Sequence, residues 1–365
     1  MNNKLMMLIA LFFSVGIMAQ DKLHITGKIT GIPKEAKLML SYDKKEIELK
    51  AIDGVFVVEA EIVKAPTPVY LSIMKGDDYE YTSFFLGNET VTIDGRFDDL
   101  KSLQAKGSRY DTLRYESEIL TRELRTERQT IESKVSKEVD SGMSYDNAMA
   151  PYKVEYLRIE QKIKDLDYEF LKKNINTDYG RYLVGFIMHD TNTNHYKELY
   201  DLVDSQYQNT DPIVFLKALI DNKVLVKGGS YYDFTALDMN EKEVTFSDYF
   251  KGKYVLLDFS SPYCYFCQQA VPITSKLAKA LEDKLVYVTY CIENDLHSVE
   301  KYRGLKGDHG VIVWDKRGMQ SPTIAKYRMS GTPYYALFNL EGRLLKIFDK
   351  GLEEDFEEQL RALMK

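Results

Sequence analysis

Cysteine is scarce. Three in 365 residues are too few for a disulfide framework, so the fold must rest on packed apolar cores, and any sulfur chemistry falls to Cys264, Cys267 and Cys291. Positive charge is also short: 49 Lys and Arg face 56 Asp and Glu. The formal charge of -7 would repel phosphate backbones and anionic lipid, which argues against nucleic acid as a partner. There is no GxGxxG or Walker loop to cradle a nucleotide cofactor, and His24, His189, His195 and His309 show no HExxH or similar metal spacing. After residue 20 no run of about 18 apolar residues occurs, so no later membrane span is expected. With 21 Gly and 9 Pro the chain is neither collagenous nor low-complexity, and 44% hydrophobic residues suffice for two or three domains with cores of their own.

Residues 1–19 read as a secretory signal peptide. Lys4 precedes an apolar run from Leu5 to about Met18, and small Ala19 stands before polar Gln20, Asp21 and Lys22. No cysteine lies at the cleavage point, so a lipid anchor is not expected; a retained N-terminal anchor is the alternative. An exported protein of the periplasm or cell envelope follows, in an oxidising compartment.

Three periodicities come next. Residues 20–105 carry short β runs, among them Ile25–Ile29, Ile47–Ile52, Val55–Val58, Val69–Ile73, Phe84–Leu86 and Val91–Ile93, with Asp53-Gly54 as a hairpin turn. A small antiparallel β-domain is predicted. Residues 106–226 turn helical: Leu113, Leu120, Leu124, Ile131 and Val135 share one face, and Tyr156, Ile159, Ile163, Leu166 and Phe170 recur at three and four. Ser141-Gly142 suits the turn of an αα-hairpin, and Asp211-Pro212 a helix start. The charged faces of these helices read as solvated surface over a packed stripe, with a partner-binding coiled coil as the alternative. Residues 227–365 alternate strand and helix. Their near-continuous apolar runs, Tyr254–Phe259 and Leu285–Tyr290, suit strands covered on both faces, hence an α/β domain.

The chemistry concentrates in Cys264-Tyr265-Phe266-Cys267, which follows an apolar strand and opens a helix. Unpaired N–H groups and the helix dipole there favour an anion, raising the thiolate fraction of the first sulfur. Two sulfurs at this spacing can also close a disulfide and reopen it. A zinc set of Cys264, Cys267, Cys291 and His297 is disfavoured, because the pair opens a helix rather than sitting in a metal knuckle. Cys291, alone at a strand end, reads as a buried small hydrophobe.

On these residues, with Pro272 eight positions after Cys264 and Thr332-Pro333 before a strand, residues 227–365 resemble the thioredoxin superfamily, and within it the TlpA/ResA-like envelope thiol:disulfide oxidoreductases. The front regions resemble the N-terminal extension that often precedes such domains. The resemblance implies an α/β thioredoxin-like fold: a central mixed sheet flanked by helices. It makes Cys264 the nucleophile and Cys267 the resolving thiol, and gives Pro333 a cis peptide against the sulfurs. Thr332, Pro333 and Tyr263 become the substrate-contacting residues. Asp258, six residues before Cys264, stands where thioredoxins keep a buried acid, and would take the proton from Cys267; a merely hydrogen-bonded carboxylate is the alternative.

Three departures bear on the carry-over. Tyr263 replaces the common Trp, Tyr265-Phe266 replaces Gly-Pro, and Ala270 replaces the Glu that TlpA/ResA-like proteins often carry. With no charge between the cysteines, a reductant or isomerase is expected rather than a strong oxidant. The implied partners are protein disulfides and dithiols of the envelope and a membrane electron donor, with no bound cofactor or metal. Two alternatives are a redoxin-type peroxide-reducing antioxidant, favoured by Ser261 but not by Leu257, and a client-binding scaffold in which the redox domain is secondary.

Overall fold

The computed structural model describes residues 22–76, 78–190, 192–349 and 355–365; the expected signal peptide lies outside them. The chain divides into two compact units, Met1–Asp167 and Tyr168–Lys365. The division falls within the helical stretch.

The first unit opens with β1 (Leu23–Thr30), β2 (Lys37–Tyr42), β3 (Lys45–Leu49), β4 (Val55–Ala60), β5 (Thr67–Lys75), β6 (Asp78–Leu86), β7 (Thr90–Arg96) and β8 (Ala105–Lys106). They form two sheets, β4-β1-β7-β8 and β3-β2-β5-β6. Alternate residues such as Leu23, Ile25 and Ile29 of β1 and Leu38 and Leu40 of β2 are buried in one shared core, as a period of two demands. One pairing departs from the antiparallel expectation: β1 runs antiparallel to β4 but parallel to β7. Between those two strands the chain crosses to the other sheet and returns along the opposite edge of β1. The turns differ too. Asp53 and Gly54 both adopt positive φ, yet they close only the Ile52–Val55 bridge, because β3 and β4 belong to different sheets. The full hairpin is β2–β3, turned by Asp43 and Lys44, again both at positive φ.

Helices α1 (Asp111–Asp140), α2 (Tyr145–Met149) and α3 (Lys153–Asn174) follow, with the chain reversing after Ser141 at Gly142. Leu124, Ile131, Val135, Ile159 and Ile163 pack together as the spacing predicts. Leu120 is exposed, and the buried face of α1 begins instead with Asp111, Arg114 and Thr121. The Asp111 carboxylate accepts from the backbone N–H of Phe85 (3.0 Å) and Ala105 (2.8 Å) and from both Nε and Nη2 of Arg114 (2.8 Å each). A polar pair, not a leucine, fastens the first turn of α1 to the β-domain.

The second unit contains the end of α3, then α4 (Asp178–Leu183), α5 (Asn194–Asp201), α6 (Asp211–Asp221), β9 (Thr235–Leu237), β10 (Glu243–Thr245), β11 (Tyr254–Ser260), α7 (Tyr265–Ala280) and β12 (Leu285–Cys291). It continues with α8 (Leu296–Lys306), β13 (Val311–Trp314), α9 (Pro322–Tyr327), β14 (Tyr334–Phe338), β15 (Leu344–Phe348) and α10 (Phe356–Leu363). The seven-stranded sheet has the order β10-β9-β13-β12-β11-β14-β15, with β11, β12 and β13 parallel and β14 and β15 antiparallel. Both faces are covered. Val255, Leu257 and Phe259 of β11 pack with α6 and α9, while Leu256 packs with Leu277 of α7 and Phe356 and Leu360 of α10. Tyr196, Leu199, Ile213 and Leu216 bury themselves in the same core as the sheet, which is why the second unit reaches back to Tyr168.

Candidate active site

At the end of β11 the chain turns through Ser261-Pro262-Tyr263 and enters α7 with Cys264 as the N-cap. Cys264 Sγ accepts from the backbone N–H of Cys267 at 3.1 Å, so the first sulfur occupies the seat that a Ser or Asp side chain usually takes at a helix start. Gln268 closes the loop by donating Nε2 to Pro262 O at 2.7 Å. Pro272 lies inside α7, as expected from the sequence.

The two cysteines, both free thiols, stand in different surroundings. Cys264 is half-buried and Cys267 has no solvent exposure. Burial, reinforced by a hydrogen bond with Cys264, pushes the Cys267 thiol up to about 12. Cys264 as a thiol donates to Thr332 O at 3.3 Å, and the Thr332–Pro333 peptide is cis. Tyr263 Oη lies 3.1 Å from Ser298 Oγ, and Lys301 Nζ sits 4.2 Å from its ring centroid, so the ring is pinned to the first turn of α8 beside the dithiol. The structure therefore gathers Cys264, Cys267 and Thr332 by direct contact, with Tyr263 and Pro333 adjoining them in the chain.

Asp258 is placed otherwise. Two positions on from Leu256, it turns to the α7 face of the sheet, fully buried, and its carboxylate is taken by a polar set of its own. Ser260 Oγ donates at 2.6 Å, Tyr287 Oη at 2.9 Å and Thr289 Oγ1 at 3.4 Å, and Lys306 Nζ stands 3.8 Å away. Cys267 is not among these partners. Lys306 also donates to Thr289 Oγ1 and lies 3.5 Å from the Tyr287 ring centroid. Burial drives both members of the pair toward neutrality, the Asp258 carboxyl upward and the Lys306 amine downward. Burial first, and then nearby Asp258, hold the hydroxyls of Tyr302 and Tyr335 above the ordinary phenol range.

Residues 227–363 match the Redoxin family model, over the span that carries the dithiol, the seven-stranded sheet and the cis peptide. The C-terminal domain has a thioredoxin-like fold. Residues 23–113 match a second family model, Domain of unknown function (DUF4369). Among solved structures, the C-terminal domain is similar to the thioredoxin domain of a thiol-disulfide oxidoreductase from Bacteroides vulgatus. That match has 21% identity and a TM-score of 0.35, and covers 39% of this chain and 99% of that one. A putative thiol:disulfide interchange protein from Chlorobium tepidum (23%, 0.35) covers the same shares. An exposed lipoprotein thioredoxin from Streptococcus pneumoniae (27%, 0.32) covers 36% of this chain and 99% of its own. No curated protein matches the chain.

Three residues of this site escape the sequence reading. Lys306 is the main one, and its signal is the spacing: Val299, Tyr302 and Lys306 follow one another at three and four along α8, so the lysine continues a buried stripe. Thr289 stands opposite Asp258 in the β11–β12 register, two residues on from Tyr287, and is recognisable only once that register is known. Glu293, which accepts from Ser261 Oγ at 2.6 Å beneath the active-site turn, has no sequence signal. Cys291 is packed among Val271, Val299, Tyr302, Ile312 and Trp314 in the manner of a small hydrophobe. Among the described residues no three His, Cys, Asp or Glu side chains gather in a metal-binding group, and no helix is long and apolar enough to cross a membrane.

Proposed function

We propose that the protein is an exported thiol:disulfide oxidoreductase that reduces or isomerises disulfides of envelope proteins. The observation that carries this reading is the seat of Cys264: a half-buried sulfur at a helix N-cap, in hydrogen-bond reach of Cys267 N and Thr332 O. The Cys264 thiolate attacks one sulfur of a substrate disulfide, forming a mixed disulfide and expelling the other sulfur as a thiolate. Cys267 gives up its proton and attacks Cys264, so the domain ends as the Cys264–Cys267 disulfide and the substrate leaves as a dithiol, two electrons richer. Asp258, reached through the hydroxyls around it, takes the proton that Cys267 sheds. Thr332 offers its main chain to an extended client segment, with Pro333 and Tyr263 flanking it. A membrane electron donor then restores the dithiol.

Export is supported by the character of residues 1–19, and the reducing direction by uncharged Tyr265 and Phe266 between the cysteines. The test is insulin reduction by dithiothreitol. The chain without residues 1–19 should accelerate it and Cys264→Ser should not; equal activity of the serine variant would sink the assignment.

A further inference from the structure

Arg328 follows α9 in the left-handed conformation, with φ 48° and ψ 45°. That conformation crowds the Cβ of a side-chain-bearing residue against its own backbone, and glycine would adopt it freely. An arginine here asks what its side chain does in return. Its Nη2 donates to Leu219 O at 2.7 Å and to Asn222 O at 3.1 Å, the unpaired carbonyls at the C-terminal end of α6. A cation there also meets the negative end of the helix dipole. The guanidinium carbon lies 5.3 Å from the centroid of the buried Tyr196 ring, which is itself held by hydrogen bonds to Met188 O (3.0 Å) and Asp190 O (2.9 Å). The next residue, Met329, is buried. Four residues after Arg328 comes Thr332, whose carbonyl meets Cys264 Sγ.

We infer that Arg328 is a positioning residue for the dithiol site: it ties the loop from Arg328 to Pro333 to the end of α6, and so holds the Thr332 carbonyl at Cys264. Helix α6 and the segment around Tyr196 precede residue 227, where the redoxin match begins. The helical segment ahead of residue 227 is therefore part of the support for the substrate-contacting loop. The kinetic consequence rests on the oxidoreductase reading above. A client that lies along the loop needs Thr332 in place, whereas a small disulfide needs only the sulfur.

The informative variant is Arg328→Gly in the chain without residues 1–19. Glycine relieves the backbone cost while deleting the anchor, so folding is retained and melting temperature reports it. The expected result is a KM for insulin raised about fivefold or more, with turnover of 5,5′-dithiobis(2-nitrobenzoate) within about twofold of the parent and partial recovery in Arg328→Lys, which keeps the charge but loses the fork. Hydrogen exchange at the amides of residues 329–332 should quicken in Arg328→Gly. That readout needs no activity, so it stands even if the parent protein fails to reduce insulin, a failure that would count against the oxidoreductase reading alone. Unchanged exchange in this loop, or equal slowing with both disulfides, overturns the anchor.

Discussion

Lys306 Nζ and Asp258 Oδ2 face each other at 3.8 Å with essentially no solvent exposure on either side chain. The amine comes from the last turn of α8 and the carboxylate from β11, an inner strand of the sheet, and Thr289 bridges them by accepting from the first and donating to the second. A buried pair of this kind is costly to break and not especially rewarding to keep.

Removing one partner should therefore destabilise more than removing both. Lys306→Met is expected to cost about 3–5 kcal/mol by leaving an uncompensated buried carboxylate. Asp258→Leu combined with Lys306→Met should recover much of that loss. Urea denaturation of the two single variants and the double variant closes the cycle; additive losses would mean that the pair is not energetically coupled.

The Cys267 thiol, pushed up to about 12 by burial, stays protonated at neutral pH. Iodoacetamide at pH 7 should label Cys264 and spare Cys267 in the folded protein. Folded-state protection of this thiol also sets a sign for stability. The unfolded thiol ionises near its ordinary 9.0 while the folded one does not, so the contribution is complete below pH 9 and is lost as pH rises toward 12. A denaturant midpoint that climbs over that interval would contradict it.

If Asp258 receives the Cys267 proton, Asp258→Asn should slow resolution of a mixed disulfide by about 10²-fold at pH 7, the lower end of general-base effects. The deficit should shrink as pH rises and hydroxide takes over the task. Rapid-quench measurement of the trapped mixed disulfide separates this step from the first attack, and a rate unchanged at pH 7 would leave Asp258 a structural acid only.

The Cys264–Cys267 couple should equilibrate with dithiothreitol buffers near the thioredoxin value of about -270 mV. Tyr265 and Phe266 add no charge to stabilise the thiolate, which is what a strong oxidant requires. A potential near about -120 mV would reverse the proposed direction of electron flow.

In the first unit, Asp111→Ala should lower stability by about 3–5 kcal/mol, because it strips two backbone N–H groups and the buried Arg114 of their shared acceptor. Circular dichroism of the melting transition measures it. A loss below about 0.5 kcal/mol, the range of ordinary surface substitutions, would mean that α1 is fastened elsewhere.

Much of this architecture is legible from periodicity. The runs of β11 and β12 announce themselves as doubly covered strands, and Ile159 and Ile163 mark the inner face of α3. The cysteine pair is legible because its position at a helix start is local. What escapes is non-local or polar. The parallel partner of β1 depends on a crossover through another sheet, which no window of sequence contains. Lys306 and the Asp111–Arg114 pair are buried charges, and hydrophobic patterning assigns charges to the surface. Arg328 sits where turn chemistry would put glycine, and its reason lies in a helix more than a hundred residues upstream.

The pairing of Ile25 with Val91 also orders events in time. As the chain grows from its N-terminus, β1 can find β4 early, but its other edge stays open until β7 has been made. Closing that edge is a long-range step, slower than any hairpin, and until then a row of unpaired N–H and C=O groups is available to other chains. Under the export proposed above, in which the chain is threaded outward unfolded, the front sheet is the place where escorting by a chaperone would matter most.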